Sequence, residues 1–135
     1  MKDYSLLLRE HDLKATPQRL AILDVICSYG HINIEVLYKE IKKRFSAISL
    51  ATIYKNINVM TKSSLLFEVK LPNEKSVFEI VKDAHSHLLC KQCGEVKDVK
   101  INLDGLQGEI TKKNKFQIDQ SDLVFSGTCS NCLKL

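Results

Sequence analysis

The sequence predicts an α+β protein, in which an N-terminal winged helix-turn-helix domain is followed by a small α/β dimerisation domain with a four-cysteine zinc site. Three observations support this prediction. Capped amphipathic helices fill roughly the first half, two apolar runs then flank a polar turn, and two Cys-x-x-Cys pairs separated by 35 residues stand in the last third. We expect the first domain at 1–82, a hinge at 83–87 and the second domain at 88–135.

Composition and charge exclude several classes of protein. The chain has 135 residues, of which 44% are apolar and 27% are charged, and it contains only 5 Gly and 2 Pro. This is a globular composition and not that of a collagen-like or low-complexity chain. No apolar run is long enough to span a membrane, and the segment Met1–Tyr4 lacks the apolar core of a signal peptide. We therefore expect a cytoplasmic protein with no membrane partner.

Start and stop signals divide the first half into four helices. Residues 3–11 form a short amphipathic helix, Thr16-Pro17 begins a second that ends near Gly30, Asn33 begins a third, and Ser49 begins a fourth. The spacing of three and four residues places the core side chains of each helix on one face. For the second helix this predicted core stripe is Leu20, Leu23, Ile26 and Cys27. For the fourth it is Leu50, Ile53, Ile57 and Met60.

The third and fourth helices form a helix-turn-helix pattern, because only residues 46–48 join them. Apolar runs at 65–71 and 76–81 flank the turn Pro72–Lys75 and predict a β-hairpin, which supplies the wing. Between Lys39 and Lys62, six basic residues stand against one acid, a balance that suits a surface facing phosphate groups. A solvated helix face, or a small helical domain that binds no DNA, would explain the same pattern.

The chain changes character after about Leu88. The pattern there predicts two strands, a helix over 103–114, and further strands within 116–128. A segment of about 50 residues rarely buries enough apolar area to fold alone. We therefore expect this half to be stabilised by a metal, by a partner copy, or by both.

The two Cys-x-x-Cys pairs predict a structural zinc ion. Each pair forms a tight turn that aims two thiolates at one ion, and four thiolates complete a tetrahedral shell with no open position for catalysis. The predicted ligands are Cys90, Cys93, Cys129 and Cys132. The alternatives are two disulfides or a redox dithiol, but a cytoplasmic location disfavours disulfides and a redox couple needs only one pair. The fifth cysteine, Cys27, is expected in the core.

A second group of possible metal donors precedes the first cysteine pair. His85 and His87 alternate along a strand, so both imidazoles face the same side. The other donors are Glu79, Asp83 and Asp98, with His31 between the second and third helices. Nitrogen and carboxylate donors together suit Fe(II), Mn(II) or Zn(II). The plain alternatives are a surface pair of histidines and a His31 that merely ends a helix.

Four motifs in a fixed order carry a family resemblance. They are Thr16-Pro17-Gln18-Arg19, Ala51-Thr52-Ile53-Tyr54, His85-x-His87-x-x-Cys90-x-x-Cys93-Gly94 and Cys129-x-x-Cys132. Together they span nearly the whole chain, which resembles the ferric uptake regulator family of bacterial metalloregulators. The resemblance implies a homodimeric winged-helix repressor that binds an operator in double-stranded DNA. It also implies a zinc ion held by four cysteines and a regulatory metal between the domains.

The resemblance further implies which residues hold the regulatory Fe(II) or Mn(II). They are His31, Glu79, His85, His87 and Asp98. Two branches of the family then compete. Asp98 is typical of the peroxide-sensing branch, which we favour: Fe(II) and hydrogen peroxide oxidise a histidine ligand, His31 or His87, and the DNA is released. Glu79 is typical of the iron-responsive branch, in which Fe(II) is the corepressor.

Six residues are predicted to contact DNA. They are Lys14, Arg19, Ser49, Thr52, Tyr54 and Lys55. Tyr54 and Lys55 lie on the outer side of the fourth helix, and the family pattern adds Arg19. Ser49 and Thr52 stand near a helix N-terminus, where backbone amides and the helix dipole favour a phosphate. The alternatives are that Ser49 is only a cap and that Tyr54 is half-buried packing.

Two other classes of function remain open from the sequence. Nitrogen and oxygen ligands with an open position also suit a metal-dependent enzyme, but no general base stands out and each half is too small to enclose a substrate. A zinc-ribbon interaction module would need neither the basic segment nor the wing, and steep salt dependence of DNA affinity would exclude it. We therefore expect a regulator with no catalytic residue.

Overall fold

The computed structural model describes residues 3–134, which form two compact units with a boundary between Lys82 and Asp83. The first unit contains α1 (Ser5–Glu10), α2 (Pro17–Tyr29), α3 (Ile34–Arg44), α4 (Leu50–Lys62), β1 (Leu66–Val69) and β2 (Val77–Ile80). The second contains β3 (Ser86–Cys90), β4 (Val96–Val99), α5 (Asp104–Asn114), β5 (Val124–Gly127) and α6 (Ser130–Leu133). The predicted α+β class is confirmed. No helix within residues 3–134 is both long enough and apolar enough to cross a lipid bilayer.

Side-chain caps begin the three long helices of the first unit, as predicted. The side-chain oxygens of Thr16, Asn33 and Ser49 each accept the backbone N–H three residues further on, at 3.3, 2.9 and 3.1 Å. Each bond satisfies one of the amides that a helix N-terminus leaves without a partner. At the other end of α2, Gly30 takes a φ of 78°, in the left-handed region that glycine adopts without steric cost.

The first unit is built around one apolar core to which all four helices and the hairpin contribute. Its fully buried side chains include Leu8 of α1, Ile22 of α2, Leu37 of α3, Ile53 of α4 and Leu66 of β1. Each of these side chains is removed from water, which is worth roughly 1.5–3 kcal/mol per residue. The core therefore fixes α4 against the helices that precede it.

Two of the predicted core positions are wrong. Cys27 is exposed, because the buried stripe of α2 ends at Ile26 and the last turn of the helix lies outside the core. Leu50 is 40% exposed, because it is the first residue of α4 and the buried face of that helix begins one turn later, at Ile53. Both errors arise at helix ends, where the spacing continues but the neighbouring elements do not.

The wing is an antiparallel hairpin, β1 paired with β2, with Phe67 opposite Glu79. A short segment before α3 adds to its free edge, because Ile32 and Phe78 exchange two backbone hydrogen bonds, at 3.2 and 2.8 Å. This bridge places the residue before Ile32 beside the residue after Phe78. The two-stranded hairpin is thus joined to the segment before α3 by a single backbone bridge.

The second unit is a three-stranded sheet of order β4-β3-β5, in which β3 runs antiparallel to β4 and parallel to β5. The register places His87 opposite Asp98 of β4. The strand β3 begins at Ser86, so the last two residues of the expected hinge belong to the sheet. Helix α5 contains no buried residue.

The prediction of several strands within 116–128 is wrong for its first part. Only β5, Val124–Gly127, is a strand, and residues 116–123 form a loop. Side chains in this loop bond locally, since Gln117 donates to Asp119 at 3.2 Å and Gln120 donates to Asp122 at 3.0 Å. Such local hydrogen bonds compete with the backbone hydrogen bonds that would join a strand to its neighbour in a sheet. The four-residue helix α6, which carries Cys132, was not predicted.

Candidate DNA-binding surface and metal centres

The outer face of α4 presents polar and aromatic side chains to solvent. Lys55 is exposed, and Tyr54 is 47% exposed, which agrees with half-buried packing and leaves about half of its surface accessible. At the start of the helix, the hydroxyls of Ser49 and Thr52 are 3.0 Å apart, and Ser49 also caps the helix. The N-terminus of α4 and its outer face together offer hydrogen-bond donors, the positive charge of Lys55 and an aromatic ring.

Two further predicted contacts, Lys14 and Arg19, belong to one hydrogen-bonded network. Arg19 lies in the first turn of α2, and its Nε donates to the side-chain oxygen of Asn56 on α4 at 3.0 Å. Its Nη1 donates to the backbone carbonyl of Lys14 at 3.1 Å. Lys14 itself is exposed, whereas Arg19 is only partly exposed. Arg19 thus connects the loop before α2 with α4.

In the first unit, His31 and Glu79 form a close pair. The bridge between Ile32 and Phe78 sets the two residues side by side, and His31 Nε2 lies 3.0 Å from Glu79 Oε2. Both side chains are largely buried, with exposed fractions of 11% and 3%. The alternative that His31 merely ends a helix does not account for this contact. An imidazole nitrogen and a carboxylate oxygen at this separation are two converging metal donors.

In the second unit, His85, His87 and Asp98 converge. The imidazoles lie on one side of β3 as predicted, with their Nε2 atoms 3.1 Å apart. Because His87 pairs with Asp98 across the sheet, Asp98 Oδ1 is 3.6 Å from both Nε2 atoms. His85 Nδ1 donates to the backbone carbonyl of Asp83 at 2.7 Å, which leaves Nε2 as the donor atom for a metal. Asp83 thus contributes its carbonyl, whereas its side chain is exposed.

The four cysteines of the second unit form a compact group. Cys90 ends β3 and Cys93 lies in the turn after it, whereas Cys129 caps α6 and Cys132 lies within that helix. Their sulfurs all lie within 4.8 Å of one another. Cys93 Sγ and Cys129 Sγ are 3.8 Å apart, and every cysteine is a free thiol. Four sulfurs at about 2.3 Å from a tetrahedral ion would lie about 3.8 Å from one another. The spacing and the donor chemistry fit zinc.

Hydrogen bonds give the clustered thiols unequal acidity. The backbone N–H groups of Cys93 and Cys129 donate to Cys90 Sγ at 3.5 and 3.3 Å, and they lower the pKa of Cys90 to about 6. A hydrogen bond shared with Cys129, together with burial, raises the pKa of Cys132 to about 12. One sulfur is therefore a ready thiolate while another holds its proton. A cation bound by all four sulfurs displaces such protons, so its binding is favoured at higher pH.

The histidine and carboxylate donors suit other metals than the four cysteines do. Nitrogen and carboxylate donors favour Fe(II), Mn(II) or Zn(II), whereas four thiolates favour zinc in a closed, structural shell.

A sequence model of the ferric uptake regulator family matches residues 10–126. The chain belongs to the ferric uptake regulator family. Its fold agrees: the ferric uptake regulator of Vibrio cholerae superposes with a TM-score of 0.78 at 33% identity, over 94% of this chain and all of that one. As a member of this family, the chain is a metal-responsive regulator, and the family consists of transcription regulators rather than enzymes.

Besides ferric uptake regulators, family members named as peroxide regulators also resemble this chain. The peroxide stress regulator of Campylobacter jejuni has a TM-score of 0.75 at 34% identity, over 97% of this chain and all of that one. The peroxide operon regulator of Bacillus subtilis (strain 168) is 31% identical over 129 residues, 94% of this chain and 89% of the relative. Similarity at this level is compatible with either an iron or a peroxide signal.

Asn56 belongs to the hydrogen-bonded network beside the candidate DNA-binding surface, and the sequence-based prediction missed it. It is 91% buried on α4, its amide donates to the carbonyl of Thr52 at 3.1 Å, and its oxygen accepts from Arg19. One signal was available in the sequence. Asn56 stands three residues after Ile53 and four before Met60, so it is a polar residue on the core side of the helix.

Proposed function

We propose that the chain is a metal-dependent repressor that binds operator DNA as a homodimer in the cytoplasm and senses hydrogen peroxide. The observation that carries this proposal is that each compact unit holds its own group of nitrogen and carboxylate donors. His31 and Glu79 are 3.0 Å apart in the DNA-binding unit, and Asp98 lies 3.6 Å from both His85 and His87 in the other. A single regulatory ion held by all five residues would couple the two units.

The proposed DNA-binding surface is the outer face and N-terminus of α4 with the loop before α2. Tyr54 and Lys55 are accessible for contact in a groove, and Ser49 and Thr52 stand where a helix N-terminus favours a phosphate. Lys14 supplies a further positive charge on the exposed loop. The wing β1–β2 follows directly after this helix, as in winged-helix proteins that bind DNA.

Regulation follows from the division of the five ligands between the units. An ion that needs donors from both units binds tightly only when the units adopt one particular arrangement, and it therefore shifts the population toward that arrangement. The zinc site lies within the second unit and lacks this effect, so its role is structural. We propose that metal binding selects the arrangement in which a dimer fits two DNA half-sites.

Asp98 favours peroxide as the signal, since that residue type is typical of the peroxide-sensing branch. Fe(II) at the regulatory site supplies the redox chemistry by which one hydrogen peroxide and one histidine give a histidine with one added oxygen and one water. The imidazole of His31 or of His87 is the proposed target. An oxidised imidazole is a poorer ligand, so the site loses its metal and the protein releases DNA.

The test is to locate the added oxygen. The purified protein is loaded with Fe(II) without oxygen, treated with a small excess of hydrogen peroxide and digested with trypsin for mass spectrometry. We expect one added oxygen on a histidine of Leu20–Lys39, which contains His31, or of Asp83–Lys91, which contains His85 and His87. Fragment ions must place the oxygen on the imidazole, because these peptides also contain Cys27 and Cys90. The fourth histidine, His11, lies on Glu10–Lys14 and is the internal control, because it is not a proposed ligand. Protein loaded with Mn(II) should remain unmodified.

The second candidate is an iron-responsive repressor with Fe(II) as its corepressor. Glu79 favours it, since that residue type at this position is typical of the iron-responsive branch. Unmodified histidines in protein that retains bound Fe(II), together with DNA binding that follows the Fe(II) concentration, would establish this candidate and exclude the first. Oxidation of His11 to the same extent as the other histidines would exclude site-directed chemistry.

The proposal of a homodimer is supported by the apolar side chains that are exposed in the second unit. Of the twelve large apolar residues exposed in the described part of the chain, seven lie in this unit: Leu88, Ile101, Leu106, Ile110, Phe116, Phe125 and Leu133. We expect Leu106→Glu on α5 to give monomers in sedimentation experiments. Leu6→Glu on α1, where an apolar side chain is also exposed but lies in the first unit, is the control and should remain dimeric.

A further inference from the structure

Arg19 connects three parts of the first unit through two hydrogen bonds. Its Nε donates to Asn56 of α4 at 3.0 Å, and its Nη1 donates to the carbonyl of Lys14 in the loop before α2. Its own backbone N–H donates to the cap Thr16. The side chain of Arg19 thus reaches both parts of the proposed DNA-binding surface, the loop with Lys14 and the helix with Tyr54 and Lys55.

Asn56 is held in place from both sides. Only 9% of this residue is exposed, its oxygen accepts from Arg19, and its nitrogen donates to the carbonyl of Thr52 one turn earlier on α4. A buried amide costs free energy unless its hydrogen bonds are made. Asn56 therefore fixes how α4 sits against Arg19, whereas an apolar residue at this position would leave the guanidinium without that acceptor.

We propose that Arg19 and Asn56 are positioning residues, which fix α4 and the Lys14 loop in the arrangement that binds DNA. This inference rests on the proposed DNA-binding function and concerns its geometry. Arg19 then acts on DNA affinity through Asn56 and Lys14, rather than as an independent phosphate contact. Asn56 becomes a determinant of DNA binding although it faces the interior.

The expected size of the effect follows from the population of the binding-competent orientation. If α4 samples several orientations, the apparent Kd rises in inverse proportion to the fraction that can bind. A hydrogen bond to a charged group is a strong one, and its loss leaves the partner group inadequately solvated. We expect Asn56→Ala to raise the Kd for DNA about tenfold.

A double-mutant cycle tests the proposal. The probe is a DNA duplex enriched from a random-sequence library by the Mn(II)-loaded wild-type protein, and the Kd is measured for Arg19→Ala, Asn56→Ala and the double variant. If the two residues act as one unit, the double variant binds about as weakly as the weaker single variant. If the two residues made independent contacts, their effects on the Kd would multiply. A Kd about a hundredfold higher in the double variant would therefore overturn the proposal.

The variant Arg19→Lys distinguishes a positioning role of Arg19 from a direct contact of its positive charge with phosphate. Lysine retains the positive charge that a phosphate contact needs, but its single ammonium lacks the guanidinium fork that bonds to Asn56 and Lys14 together. We expect Arg19→Lys to bind DNA as weakly as Arg19→Ala, whereas affinity at the wild-type level would overturn the proposal. An unchanged Kd for Asn56→Ala would overturn it as well.

Two controls keep these results interpretable. Ile41→Val trims a fully buried core side chain on α3 that takes no part in the hydrogen bonds of Arg19 and Asn56, so it reports the effect of destabilisation alone. Its Kd should stay within about twofold of the wild type. If the metal-loaded wild-type protein enriches no duplex at all, the proposed DNA-binding function fails, which is distinct from a failure of the positioning pair.

Discussion

Removing one zinc ligand should unfold the second unit and leave the first intact. In the described residues of the second unit, the buried apolar side chains are Leu89 and Cys90. Full burial of an apolar side chain is worth roughly 1.5–3 kcal/mol. Zinc binding to a four-ligand site contributes about 10–16 kcal/mol near neutral pH. The metal therefore outweighs the core of this unit, and Cys129→Ser removes most of its stability.

The tyrosines allow the two units to be followed separately. All four, Tyr4, Tyr29, Tyr38 and Tyr54, lie before the boundary at Lys82, and the chain has no Trp. Tyrosine fluorescence therefore reports unfolding of the first unit, and amide hydrogen exchange of β3 and β5 reports the second. For Cys129→Ser we expect lost protection in β3 and β5, with the tyrosine transition kept within a few degrees of the wild type.

Cys27→Ser is the matched control, because Cys27 is a free, exposed thiol outside the zinc cluster. This variant should bind the same amount of zinc as the wild type and retain the protection of β3 and β5. Full amide protection in Cys129→Ser would refute the argument that the metal stabilises this unit. A joint loss of the tyrosine signal would refute the separate stability of the first unit.

Three further predictions concern the first unit. Lys55→Ala should weaken DNA binding and lower the slope of log K against log salt concentration by about 0.9 if one phosphate contact is lost, with metal content unchanged in elemental analysis. Ile53→Ala should lower the free energy of unfolding in urea by about 2–5 kcal/mol because Ile53 is fully buried, whereas Leu50→Ala, at an exposed position, should change it far less. Burial, and then a hydrogen bond with Cys27, raises the pKa of Tyr4 to about 12, so the folded state keeps a proton that the unfolded state loses from about pH 10. Stability should therefore fall as pH rises from about 10 to 12, and Tyr4→Phe should remove this part of the pH dependence in urea titrations.

Local signals in the sequence are sufficient for most of the first unit. The caps Thr16, Asn33 and Ser49 act over three residues, and the alternating runs around Pro72–Lys75 act over a single turn, so both are visible without tertiary information. The spacing of the cysteine pairs is equally local, since each pair needs only one tight turn. These features were predicted correctly because their physical causes lie within a few residues.

Features that depend on neighbouring elements were not predictable in this way. Whether Cys27 is buried depends on where the elements packed against α2 end, and the sequence of α2 does not contain that information. Asn56 has a partner, Arg19, that is 37 residues away in the chain. The loop 116–123 begins with four residues that alternate as in a strand, but its amides and carboxylates bond to one another instead.

The donor groups of the two units share one feature, which is that a single backbone pairing sets each of them. His31 lies beside Glu79 because its neighbour Ile32 pairs with Phe78, and Asp98 faces His87 because the two are partners in the β3–β4 register. A shift of one residue in either pairing would turn a ligand to the opposite face of the sheet. The affinity of the proposed regulatory site should therefore depend on these strand pairings as well as on the ligand side chains. The residue types identify the donors, but the register of two short pairings decides whether they converge.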